Sequence, residues 1–148
     1  MIVGTWRLLD HYLEGGGAAG PDGAPGDRPL GPVPLGRLLY APDGHMAVQY
    51  MPGDRAPLTT GNWRWATGPE RLAAVRGYGA YSGGYEWLGD RVAHHIEAAV
   101  YPNWIGATMV RLAELTGDRL TLRAERTPDE PPTPVLVWER LPPWRPAS

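Results

Sequence analysis

ATMVRLAELTGDRLTLRAER, residues 107–126, decides the fold. Apolar and polar side chains alternate through both halves, the period of a half-buried strand, and Gly117-Asp118 interrupts them where the chain must reverse. Gly-Asp with glycine first suits a two-residue type II′ turn, because the first central residue needs positive φ. Thr116 then faces Arg119, Leu115 faces Leu120, Ala113 faces Leu122 and Arg111 faces Ala124. One face of this hairpin holds Met109, Arg111, Ala113, Leu115, Leu120, Leu122 and Ala124. The other holds Arg119, Thr121, Arg123 and Glu125. The first face belongs to an interior, and one of its members is an arginine.

The same pattern recurs outward from this hairpin. Gly89-Asp90 places Leu88 opposite Arg91 and Tyr85 opposite His94, with Val92, His94, Ile96, Ala98 and Val100 expected inside and His95 and Glu97 outside. Pro42-Asp43-Gly44 suggests a three-residue loop with a glycine bulge, which sets Tyr40 against Met46 and Leu38 against Val48. Eight strands follow: about Ile2–Leu13, Gly36–Ala41, His45–Met51, Ala80–Leu88, Arg91–Tyr101, Ala107–Thr116, Arg119–Arg126 and Pro134–Leu141. One helix is expected near Gly68–Tyr78, where Thr67 and Glu70 have capping-box spacing.

Short turns alternate with long connections along this series. In an up-and-down barrel alternate connections lie at opposite ends, so the order predicts a cup, pinched shut by hairpins at one end and ringed by loops at the other. The expected fold is all-β, an antiparallel eight-stranded barrel over residues 1–141 with a short helix at the open rim and a disordered Pro-rich tail, 142–148. The Gly/Pro-rich segment Gly15–Leu35 cannot form a regular element and is either a lid over the mouth or a plain surface loop. Met51–Gly79 and Pro102–Gly106 share that rim, and Trp144 in the tail is free to dock.

Composition removes several function classes. The chain has no cysteine, so disulfides and thiolate chemistry are excluded, and its basic residues are all arginine, which excludes a lysine Schiff base. A net charge of −2 gives no reason to expect nucleic acid or a membrane surface as partner. No apolar run approaches the ~20 residues of a membrane span, and no basic leader precedes the first strand, so cytoplasmic residence is the expectation. Phosphate loops, dinucleotide fingerprints and Gly-x-Ser-x-Gly elbows are missing, and no cofactor is expected.

Gly4-Thr5-Trp6 is similar to the Gly-x-Trp signature of lipocalins. The strings Tyr40-Ala41-Pro42-Asp43-Gly44-His45-Met46, His94-His95-Ile96-Glu97 and Tyr101-Pro102-Asn103-Trp104-Ile105-Gly106 extend the likeness, and the whole chain resembles the bacterial lipocalin-like domain family, a calycin-type small β-barrel. That resemblance implies that Trp6 plugs the closed end under an arginine from a late strand, Arg123 or Arg140 here. It also implies a small-molecule cavity used either for binding or for cofactor-free cyclase or isomerase chemistry in natural-product pathways.

Within the expected cup, Tyr85 and His94 form the sharpest pair, a phenol beside an imidazole able to act as acid and base or to satisfy each other. Arg111 needs a partner on an apolar face, either Asp10 or an oxygen of the ligand. Tyr12, Tyr40, Tyr50, Tyr81 and Met109 are expected to line the cavity, and Asn103 and Trp104 to stand at its mouth. His94 and His95 are adjacent on one strand and point to opposite faces, so no metal site is expected. The sequence reading is a cyclase or isomerase acting on a small hydrophobic metabolite, as monomer or homodimer. Tyr85 and His94 would move protons and Arg111 would stabilise negative oxygen; a non-catalytic binder, or a packed barrel used only as an interaction surface, are the alternatives.

Overall fold

Eight antiparallel strands pair in chain order and close on themselves through the first and last: β1 Gly4–Glu14, β2 Pro34–Tyr40, β3 His45–Pro52, β4 Gly79–Trp87, β5 Arg91–Ala99, β6 Thr108–Thr116, β7 Arg119–Arg123 and β8 Thr133–Arg140. The computed structural model describes residues 1–14, 27–125, 127 and 129–148. Short 3₁₀ turns at Trp63–Trp65 and Pro102–Trp104 and one helix, α1 (Gly68–Val75), occupy the long connections. Among the described residues no helix is long and apolar enough to cross a membrane.

Turn chemistry sets the register as expected. Gly89 and Gly117 have φ of 93° and 60° while no non-glycine residue among the described residues has positive φ, the signature of glycine-first type II′ turns. Tyr85 pairs with His94, Leu115 with Leu120, Ala113 with Leu122 and Tyr40 with Met46. The hairpins meet at one end: Tyr85 N–H donates to Gly44 O, Ala113 N–H to Asp90 O and Arg140 N–H to Asp118 O, at 2.9, 2.9 and 2.8 Å. Trp6 plugs this end. Its Nε1–H donates to Ile2 O at 3.0 Å, and the Arg140 guanidinium lies 4.3 Å from its ring centroid while donating to the carbonyls of Val3 and Met1. Arg140 therefore fills the role open to two arginines, and Arg123 instead pairs with Glu14 and Glu114.

Two β-bulges correct the expected alternation. On β5, Ser82 pairs with Ala98 but Gly83 with Ile96, which leaves Glu97 as an extra residue. Beyond it the faces swap, so Ala98 and Val100, expected inside, are exposed. Gly83 permits this close approach, because a Cβ there would lie 1.9 Å from the His95 carbonyl oxygen. On β1, Leu8 pairs with Trp138 and Asp10 with Val137, leaving Leu9 extra. His11 therefore turns inward opposite Leu136, and Asp10 and Tyr12 turn outward opposite Val137 and Val135.

The capping box closes on α1 as the spacing predicts, with Glu70 N–H donating to Thr67 Oγ1 and Thr67 N–H to Glu70 Oε1, both at 3.3 Å. No residue of α1 is buried, so the helix lies on the surface. Residues 15–26 of the expected lid, and Arg126 of the expected seventh strand, lie outside the described residues. The described end of that connection is anchored. Leu13 N–H donates to Asp27 O at 2.9 Å, Arg28 pairs with Asp10 at 3.2 Å, and Leu30 is buried with the core beside Gly77, which follows α1. Residues 141–148 form no regular element, and Trp144 is 85% exposed rather than docked.

Candidate functional site

The barrel encloses a cavity of about 180 Å³ with walls from seven strands. Its apolar lining comes from Leu38, Val48, Leu122, Pro134, Leu136 and Trp138, together with Met109. Alternation along β8 puts Pro134, Leu136 and Trp138 on one face, and Arg140 continues that face to the closed end. The polar groups are Tyr50, Tyr81, His94 and Arg111, and Trp104 reaches in from the Pro102–Trp104 turn. A wider, shallow depression of about 650 Å³ lies on the outer face of β2–β5, among Leu39, Ala47, Ser82 and Ala98. Its lining has a single charged residue, Arg37. The concentration of polar chemistry is inside the barrel.

His94 is the centre of that chemistry. It is 2% exposed, with Tyr40 Oη 2.6 Å from its Nε2 and Tyr81 Oη 2.8 Å from its Nδ1. Tyr40 sits behind the cavity wall at 1% exposure, and Tyr81 lines the cavity itself. Burial, reinforced by the nearby Arg111 charge and by His95, pushes the His94 pKa down to about 3. The imidazole is therefore neutral across the physiological range. Burial also raises the phenol pKa values of Tyr40, Tyr50 and Tyr81, and Arg111 opposes each rise. All three are neutral hydroxyls near pH 7.

Arg111 holds no carboxylate among the described residues. Its guanidinium donates to Val110 O at 3.3 Å and touches Met109 Sδ at 3.4 Å, both on its own strand. Asp10, the protein partner considered for it, faces outward and pairs with Arg28. The buried Trp138 Nε1–H also lacks an acceptor among the described residues. On β1 His11, 6% exposed, stacks on the cavity-lining Tyr50 with centroids 5.9 Å apart. Burial lowers the His11 pKa against the pull of Asp10, and its Nδ1 has no hydrogen-bond partner among the described residues.

Of the residues singled out from sequence, Tyr50, Tyr81, His94, Trp104, Met109 and Arg111 converge on the cavity, with Tyr40 immediately behind. Three do not converge. Tyr85 pairs with His94 in register, but its hydroxyl donates to Ala41 O at 2.7 Å and its ring packs on Tyr40, centroids 4.6 Å apart. The phenols bonded to His94 are thus Tyr40 and Tyr81. Tyr12 lies outside through the Leu9 bulge, and Asn103 is exposed on the rim turn. The sequence reading missed His11, hidden by that bulge, and Leu136 and Trp138, which the alternation of β8 would have revealed. No group of three or more potential metal ligands occurs among the described residues.

A family model described as a lipocalin-like domain matches residues 3–141. The chain is also similar to a protein of Aspergillus oryzae (strain ATCC 42149 / RIB 40) named as a 4'-hydroxy-3'-methoxypropiophenone carrier protein, with 41% identity over 64 residues. The matched stretch is 38% of this chain and spans 58% of that relative's length.

Proposed function

The chain belongs to the lipocalin-like domain family, and from that membership and the cavity we propose that it binds and carries a small, oxygen-bearing aromatic molecule inside the barrel. The observation that carries this reading is the enclosed apolar cavity with a few convergent polar groups, the usual make-up of a small-molecule site. Its volume of about 180 Å³ is slightly above the ~150 Å³ of an engineered protein cavity that holds benzene, so one substituted ring fits. The name of the Aspergillus relative, a carrier of a phenyl ketone with hydroxyl and methoxy groups, agrees in size and chemistry. Trp104 and Tyr81, ring centroids 5.9 Å apart and nearly perpendicular, offer the ligand an aromatic wall beside the rim.

Titration of small hydroxyaryl ketones into the protein, followed by tryptophan fluorescence, tests this directly, because Trp104 and Trp138 line the cavity. Saturable one-to-one quenching is expected, and Leu122→Trp, which fills the cavity, should abolish it. Quenching that rises linearly with ligand, or that survives the filled cavity, refutes the reading.

A second reading, a cofactor-free cyclase or isomerase, draws on the same enclosure, since holding a reactive chain folded in a dry cup can supply large effective molarity. Chromatography of the ligand after long incubation separates the two. Unchanged recovery supports carriage, and accumulation of an isomer of equal mass supports turnover.

A further inference from the structure

The cavity has more hydrogen-bond donors than acceptors, and the surplus follows from the His94 contacts. Tyr40 is fully buried, and His94 Nε2 is the acceptor its hydroxyl meets, at 2.6 Å. Only if Tyr40 donates to Nε2 does its proton have a place to go. Nε2 is then unprotonated, and a neutral imidazole must carry its hydrogen on Nδ1. That N–H donates to Tyr81 Oη at 2.8 Å. Tyr81 therefore accepts from His94 and keeps its own O–H proton free, at a residue that lines the cavity.

Each bond in this chain points the same way, from Tyr40 through His94 to Tyr81, so each polarises the next and strengthens the final donor. On the same cavity wall stands Arg111, a permanent cation whose partners among the described residues are its own strand's Val110 carbonyl and Met109 sulfur. Trp138 adds an indole N–H that finds no acceptor among the described residues. The guanidinium is only partly buried, and a ligand that fills the cup strips away water from it, a cost that a negative charge on the ligand offsets.

We propose that the ligand is a single-ring molecule carrying an acidic oxygen and that it binds as the oxyanion, accepted by the Arg111 guanidinium and the Tyr81 hydroxyl. The proposal rests on the carrier reading and specifies the chemistry of its ligand. A phenolate, an enolate and a carboxylate share that chemistry. An apolar pocket alone would favour the neutral acid, whereas charge-assisted hydrogen bonds from Arg111 and a polarised phenol favour the anion. The aromatic body would rest on Leu122, Leu136, Met109 and Trp104.

The probes are 4-hydroxyacetophenone, its O-methyl ether and benzoate. Ionisation of the acyl phenol moves its absorbance to longer wavelength, so difference spectra report the bound charge state directly. At a pH where the free phenol is mostly neutral, the phenolate band should appear on binding. Either acid should bind roughly ten-fold or more tighter than the ether, a difference of about 1.4 kcal/mol or more.

Arg111→Gln should remove the band and bring the three affinities together. Quenching by the ether reports that the variant is folded. Tyr81→Phe should weaken the acids more than the ether and provides a second route if Arg111→Gln fails to fold. Saturable binding of all three probes with equal affinity and no phenolate band overturns the oxyanion assignment while leaving the carrier reading intact. A preference for benzoate over the phenol assigns the site to carboxylates and keeps the oxyanion. Failure of every probe to saturate overturns both readings.

Discussion

Acidification should destabilise this barrel through His94. Its imidazole has an ordinary pKa of 6.5 but is held at about 3 in the folded chain, chiefly by burial. Between those values the unfolded chain binds a proton that the folded chain refuses, so stability is full above about pH 6.5 and falls as pH drops toward 3. From pH 7 to pH 5 the linkage amounts to about 2 kcal/mol, set by the unfolded pKa because folded His94 is still neutral at pH 5. For a domain of this size that corresponds to a fall in Tm of roughly 4–8 °C. His11, also pushed down by burial, adds a loss of the same sign. Urea denaturation of the wild type and of His94→Gln at pH 7 and pH 5 isolates the His94 share, since His11 and the carboxylates contribute equally to both chains. The variant should be less stable at pH 7 yet lose about 2 kcal/mol less on acidification. Equal losses in the two chains would refute the neutral, walled-in imidazole and the hydrogen-bond directions derived from it.

Three further outcomes test the packing that builds the site. Tyr40→Phe keeps the ring against Tyr85 but strands the Nε2 lone pair of His94, and should cost about 1–3 kcal/mol in urea denaturation; an unchanged midpoint would mean that Tyr40 is not the donor. Gly83→Ala puts a Cβ 1.9 Å from the His95 carbonyl oxygen and should cost on the order of 2–4 kcal/mol or prevent folding. Gly84→Ala, whose nearest non-neighbour atom is 3.7 Å away, should cost less than about 1 kcal/mol, and equal effects would contradict the bulge at Glu97. Arg140→Leu removes the cation over Trp6 and two hydrogen bonds to backbone carbonyls, and should cost about 1–3 kcal/mol. Arg123→Leu loses only half-exposed ion pairs and should stay within ~1 kcal/mol; the reverse order would move the closed-end plug from Arg140 to Arg123.

Local chemistry made most of the fold legible. Gly-Asp and Pro-Asp-Gly dictate turn types, the turn types dictate registers, and a register with period-two alternation dictates which face is buried. That logic turns His94, Met109 and Arg111 inward, and all three line the cavity. The inverted faces have a common cause. A bulge inserts one residue without changing composition, and it is decided by how closely two backbones approach across the sheet. Gly83 is a trace of one bulge, but glycine there reads equally as a turn signal, and Leu9 leaves no trace at all. Downstream of Leu9 every face inverts, which sent Tyr12 and Asp10 out and His11 in. The partners of His94 were hidden for another reason. Cross-strand neighbours follow from register, but Tyr40, three strands away from β5, reaches His94 through the barrel interior, and only closure fixes that distance.

The contacts that immobilise His94 also decide what it can do. A general base needs a free lone pair and a pKa near the working pH. The Nε2 lone pair of His94 is occupied by Tyr40, and with a pKa of about 3 the protonated form lies about 5 kcal/mol uphill at pH 7. A relay through the three residues has no outlet either. A proton passed inward from the ligand to Tyr81 would have to leave through Tyr40, which is buried and has no second hydrogen-bond partner among the described residues. The chain is open at one end only, toward the cavity, and there it presents an O–H. A device that gives a hydrogen bond but cannot move a proton suits holding an oxygen in place. Any turnover would have to come from the shape of the cup and from charge stabilisation by Arg111 and Tyr81 rather than from proton transfer by His94, whereas carriage needs no proton transfer and draws on the shape and the polar groups alike.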